Sequence, residues 1–183
     1  MVIRHGEKPS LDGAILGVNE AGTADPNELS IRGWQRAGAL VRFFAPIDTT
    51  VSPQGISRPE VLFAQGLGQH VTSVRAQHTL KPLAKLLGLP ISTQFQKGEE
   101  EALAAAAMSS SGTVLIAWEH KAICQLANFL MGSADGTPQA WPDDRFDIVW
   151  VFDADGTGWR FHQVPEMVLP CGRRLEFDFF QPV

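Results

Sequence analysis

The chain has 183 residues, 44% of them hydrophobic and 19% charged, with a net charge of −5 at neutral pH. That length suits one domain, 1–183, with a sizeable core. The acidic balance argues against a general nucleic-acid binder, which needs a basic surface, and no run reaches the roughly 18 apolar residues of a membrane span. Cys124 and Cys171 are too few for a disulfide framework. No charged segment followed by an apolar one opens the chain as a signal peptide would, so a cytoplasmic location is expected.

Met1, Val2 and Ile3 run into Arg4 and His5 as a strand. Three residues make a short strand, so either the strand is short or the natural start lies upstream. Residues 10–28 are rich in Gly, Asn, Asp and Pro without periodicity and read as a long loop. Ile31, Trp34, Ala37, Leu40, Val41 and Phe44 then recur at helical spacing, with Ser30 as N-cap and Pro46 as stop. Glu60–Gln65 reads as a buried strand. Ser73–Leu89 carries Val74, Leu80, Leu83, Leu86 and Leu87 on one helical face and Gly88 as its end. Pro82 inside it predicts a kink or a two-part helix. Ile91–Phe95 reads as a strand, and Glu99–Met108 as a helix with acids in its first turn, where the dipole favours them. Gly112–Trp118 is a continuous apolar run, as expected of a strand buried on both faces. Ala122–Gly132 follows as a helix, and residues 133–145 as a loop. Phe146–Phe152 and Trp159–Val164, joined by the turn "DADGTG", read as a hairpin. The alternation predicts an α/β three-layer sandwich: a mostly parallel central sheet, helices on both faces, and a C-terminal antiparallel hairpin.

Two histidines share one kind of position. His5 follows "VIR" and His120 follows "TVLIAWE", each where an apolar strand has just ended. In an open α/β sheet such ends form the ligand crevice, so neighbouring strands would bring both imidazoles to one pocket. An arginine beside a buried-strand histidine is expensive without an anionic partner. Arg75, at a helix start, is read either as a partner for that anion or as a solvated face. His78 is expected to pack or cap, and His70 and His162 to be surface or satisfied core. Cys124 lies four residues after His120, but two ligands make no metal site, and a cysteine in an apolar helix is usually core.

Four segments in order resemble the histidine phosphatase superfamily, the phosphoglycerate-mutase-like proteins. "RHGE" at Arg4–Glu7 resembles its RHG signature, and "LSIRGWQRAGAL" its Leu–Ser/Thr–x–x–Gly helix start. "SVRAQHTL" is similar to its second-arginine segment, with an alanine next and a threonine four residues on; "TVLIAWEHKAI" resembles the strand that carries its second histidine. The resemblance implies that His5 is the phosphate-accepting nucleophile. It also implies that Arg4, Arg75 and His120 hold the phosphoryl oxygens. The chemistry is coherent by itself. Phosphoryl transfer needs an in-line nucleophile and positive charge on the spectator oxygens. A neutral imidazole and two guanidiniums supply these without a metal, so no cofactor is expected.

The acid that protonates the leaving group is less clearly marked. The acid-phosphatase branch of the family places an aspartate after the second histidine, where this chain has Lys121. The mutase branch places a glutamate well after the second arginine, and Glu99, Glu100 and Glu101 lie 24 to 26 residues after Arg75. Glu100 is therefore the expected donor, with Glu7, Glu99 and Glu101 as alternatives; the same acids also suit a first helical turn. The expected activity is metal-independent hydrolysis of phosphomonoesters through phosphohistidine, on a small phosphorylated substrate or a phosphoprotein, with no nucleic-acid or membrane partner. The competing readings are a non-catalytic phospho-ligand sensor or scaffold on the same fold, and a phosphoglycerate mutase.

Overall fold

A computed structural model describes residues 1–48, 55–68, 71–154, 156 and 158–169. His70 and Cys171 lie outside these residues. Val2–Arg4 form β1, Ile31–Phe44 α1, Val61–Ala64 β2, Arg75–Leu87 α2, Ile91–Ser92 β3, Glu100–Ser109 α3, Val114–Trp118 β4, His120–Met131 α4, Ile148–Ala154 β5 and Trp159–Pro165 β6. The strands make one six-stranded sheet in the order β3-β2-β4-β1-β5-β6. Its first four members are parallel; β5 pairs antiparallel with β1 and with β6. The α/β class, the mostly parallel sheet and the terminal antiparallel pair are as the sequence predicts.

Two apolar cores sandwich the sheet. On one face Ile3, Leu115, Ala117 and Val149 meet Leu40 and Phe44 of α1 and Leu80 and Leu83 of α2. On the other, Val2, Ile116, Trp118 and Trp150 meet Leu103 of α3 and Ile123 and Leu126 of α4. The period-2 alternation of strand side chains sends neighbours such as Val2 and Ile3 to opposite cores, which is why β4 is apolar throughout and β1 is apolar up to Arg4. Helices thus cover both faces, as a parallel sheet requires.

Three expectations change. Helix α2 runs as one element through Pro82, so of the two alternatives the two-part helix is not found. Pro82 removes one internal hydrogen bond, and burial of Leu80, Leu83 and Ala84 holds the turns on either side. Strand β3 is two residues long rather than five: Ile91 and Ser92 pair with Leu62 and Phe63, and further along the Gly66 amide donates to the Phe95 carbonyl at 2.7 Å. Helix α4 begins at His120, two residues earlier than expected, with Glu119 at its N-cap position. Among the described residues no helix is long and apolar enough to cross a membrane.

Candidate active site

The parallel pairing of β1 with β4 builds the site. Arg4 is in register with Trp118, and the His5 amide donates to the Trp118 carbonyl at 3.2 Å. The residues after the two strands, His5 and Glu119-His120, therefore leave the sheet side by side. A cleft of about 470 Å³ opens there, lined by His5, Arg75 and His120 together with Lys8, Lys97, Glu119 and Lys121. Thr72, Ser73 and Gln65 add neutral polar groups; Val71 and Ala76 are the apolar ones.

His5 is buried, and its Nδ1–H donates to the Gly6 carbonyl at 2.7 Å. A carbonyl can only accept, so the proton sits on Nδ1 and Nε2 keeps its lone pair. Burial, reinforced by the nearby charges of Arg4, Arg75 and His120, pushes the imidazole down to about 3. It is neutral at physiological pH.

Arg75 is aimed by the loop before α1: its guanidinium donates to the carbonyls of Glu28 (3.1 Å) and Pro26 (2.9 Å). Thr79, one turn along α2, donates to the Arg75 carbonyl at 2.7 Å and accepts from the Gly6 amide at 2.8 Å. That hydroxyl ties the backbone beside His5 to the helix that carries Arg75.

Arg4 is fully buried behind the cleft. One guanidinium nitrogen donates to the carbonyls of Asp143 (2.7 Å), Arg145 (2.9 Å) and Pro142 (3.4 Å), and the group stacks on the Phe146 ring at 3.7 Å. Burial pushes it down to about 10, still a cation. Its Nε is buried without a hydrogen-bond partner. His120 Nε2–H donates to the Asp143 carboxylate at 2.7 Å, so that nitrogen carries the proton and the buried Nδ1 has no partner. Burial and the Arg4 charge lower its basicity, and Asp143 opposes them. Asp143 therefore reaches both groups, one through its carbonyl and the other through its carboxylate. Its side chain is 88% exposed.

The expected acids lie elsewhere. Glu100 is buried in the α3 side of the core, where its carboxylate accepts from the Trp118 indole (3.1 Å) and the Gly98 amide (3.1 Å). It fastens α3 to β4 and does not line the cleft, which corrects its assignment as donor. Glu99 accepts from the Gln96 amide at 2.7 Å, and Glu101 is exposed on α3. Neither lines the cleft. Both oxygens of Glu7 are taken by Arg36 (2.8 and 3.0 Å) and one also by Arg32 (3.2 Å). Arg36 reaches on to Glu166 at 2.6 Å.

Glu119 is the one carboxylate among the described lining residues. Its Oε2 pairs with Lys97 Nζ at 2.8 Å. In the sequence it stands between the strand that ends at Trp118 and the helix expected from Ala122, where no periodicity marks which way it faces. The available signal was its adjacency to His120. His78 packs as expected, bonded to Glu28 at 2.7 Å and stacked near Trp34. Cys124 is partly buried against the second core. No protein-family model matches the chain, and no curated protein is significantly similar to it.

Proposed function

We propose that this cleft hydrolyses phosphomonoesters through a phosphohistidine at His5, as a histidine phosphatase. The observation that carries the reading is the bare, neutral Nε2 of His5, held by the Gly6 carbonyl in a cleft it shares with Arg75 and His120. In the first step Nε2 attacks phosphorus and the P–O ester bond breaks. The imidazole becomes cationic, and its Nδ1–H bond to Gly6 steadies that charge. Arg75 grips the equatorial oxygens, which need fixed positive charge as they pass through the transition state. A phosphoryl oxygen takes the place of Asp143 on His120 Nε2–H. In the second step water attacks phosphorus, the P–N bond breaks, and neutral His5 returns. Cationic side chains supply the charge, and the reading assigns no role to a metal. The test is turnover of p-nitrophenyl phosphate by the wild type, insensitive to chelator. His5→Ala should abolish it, and an acid-labile phosphoenzyme should be trapped at short times. A fully active His5→Ala variant would end the proposal.

The leaving alkoxide needs a proton, and the acid is assigned to Glu119. The proton shared within the Lys97–Glu119 pair passes through Glu119 to the leaving oxygen in the first step, leaving a neutral Lys97 amine beside the carboxylate, and the proton of the attacking water restores the pair in the second. General acid help is worth about 10² to 10⁴ in rate. Glu119→Gln should lower kcat for alkyl phosphates by that order. It should spare p-nitrophenyl phosphate, whose leaving group scarcely needs protonation. Glu100→Gln should leave the ratio of the two substrates unchanged. If Glu100→Gln shifts that ratio and Glu119→Gln does not, the assignment is reversed.

A further inference from the structure

Resting on that reading, we infer that the substrate is a small, hydrophilic phosphomonoester carrying a second anionic group, which Lys8 and Lys121 bind at the mouth of the cleft. The cleft, at about 470 Å³, has the size of a site for a whole small molecule. It is far larger than one phosphoryl group. Beyond His5, Arg75 and His120 its described wall is charged and polar: Lys8, Lys97 and Lys121 against one carboxylate, Glu119, then Thr72, Ser73 and Gln65. Among the described lining residues the rings are the imidazoles of His5 and His120, and the apolar side chains are two short ones, Val71 and Ala76. Such a wall has nothing to hold an aryl or acyl leaving group. Burying an apolar substrate against it would strip water from three ammonium groups without return.

The lysines come from three separate segments: Lys8 from the loop after β1, Lys97 from the loop before α3, and Lys121 from the first turn of α4. A shared direction in three unrelated segments is not a by-product of one helix face. Their placement also runs against the molecule, whose net charge is −5. Lys97 is committed to Glu119. Lys8 and Lys121 form no salt bridge among the described residues and are exposed. Two uncommitted ammonium groups beside a phosphate pocket select a ligand with a second phosphate or a carboxylate near the ester. Lysine suits this task, because it acts as a flexible point charge that accepts either geometry.

The test uses three alkyl phosphates of matched length: one with a neutral hydroxyl end, one with a carboxylate end and one with a second phosphate. Binding to the wild type is measured by titration calorimetry, alongside kcat and KM where turnover occurs. The second anion should tighten binding on the order of tenfold, the combined worth of two partly exposed ion pairs. Lys8→Gln/Lys121→Gln should remove that advantage, weakening the two doubly anionic ligands on the order of tenfold more than the ester with the neutral end. The carboxylate and bisphosphate arms tell which anion is preferred. Equal affinity for all three ligands in the wild type would overturn the inference, as would an advantage that survives in the double variant. Because binding is read directly, failure of catalysis would count against the phosphatase reading and not against the second anion site.

Discussion

His5 is buried with Nδ1 pinned and Nε2 bare, and its basicity is lowered to about 3 against 6.5 for a free imidazole. The unfolded chain therefore binds a proton at this residue between about pH 3 and pH 6.5, and the folded chain does not. Stability must rise with pH across that window and be lost as pH falls from 6.5. From pH 7 to pH 5 the loss from this one group is about 2 kcal/mol. Urea midpoints at the two values should therefore differ less in His5→Gln than in the wild type. An equal difference in both would mean that His5 is not buried neutral. The same residue shows what a sequence makes legible. A strand-end histidine beside an arginine can be read without coordinates, because strand ends are marked by the break in apolar residues. Glu119 could not be read this way. Whether a residue between a strand and a helix faces the cleft depends on where the helix starts, and α4 starts two residues earlier than its apolar pattern suggests.

At the scale of elements, the contact between α1 and the segment after β1 depends on two glycines. A Cβ on Gly33 would stand 2.5 Å from the Glu7 carbonyl oxygen, and one on Gly6 would stand 3.0 Å from that of Gly33. Both obstacles are backbone and cannot swing aside. The helix start is fixed there because Ser30 caps it, accepting from the Gly33 amide at 3.1 Å while donating to the Glu7 carbonyl at 3.0 Å. Gly38, one turn and a residue further along the same helix, has nothing near its missing Cβ. The two positions should respond with opposite signs. Gly38→Ala should stabilise the protein by about 1 kcal/mol, the propensity difference in a helix interior. Gly33→Ala should destabilise it by about 1–3 kcal/mol despite the same propensity gain, and should lower kcat/KM by displacing Gly6 beside His5. Thermal melting with turnover of p-nitrophenyl phosphate checks both; a stabilised Gly33→Ala would show that the helix slides freely on the loop. The glycine in the resemblance to the phosphatase helix start thus has a physical reason in this chain. Glu100 marks the opposite case. Its place in a first helical turn was legible, but its partner, the Trp118 indole, lies 18 residues away on β4. Only the packing of α3 on the sheet reveals that its carboxylate is already engaged.

Across the whole molecule, charge is distributed against its own average. The chain carries −5, while the described lining of the cleft gathers Lys8, Arg75, Lys97 and Lys121 against Glu119, with Arg4 buried behind and the Asp143 carboxylate on His120. A doubly charged phosphate ester approaching from bulk water meets two fields of different range. The net charge repels it at long distance. The cleft attracts it within the last stretch. Salt separates them, because the screening length falls from about 30 Å at 0.01 M to about 10 Å at 0.1 M and about 3 Å at 1 M. Raising ionic strength from the lowest value first removes the repulsion of the distant surface, leaving attraction at the mouth, and only then removes the attraction. The value of kcat/KM for p-nitrophenyl phosphate should therefore pass through a maximum near 0.1 M in an inert salt such as sodium chloride. In Lys8→Gln/Lys121→Gln the maximum should flatten, since the short-range attraction is weakened while the long-range repulsion grows. A monotonic fall from the lowest salt in the wild type would mean that the cleft field outweighs the net charge at every distance. A monotonic rise would mean that the lysines at the mouth contribute nothing to capture.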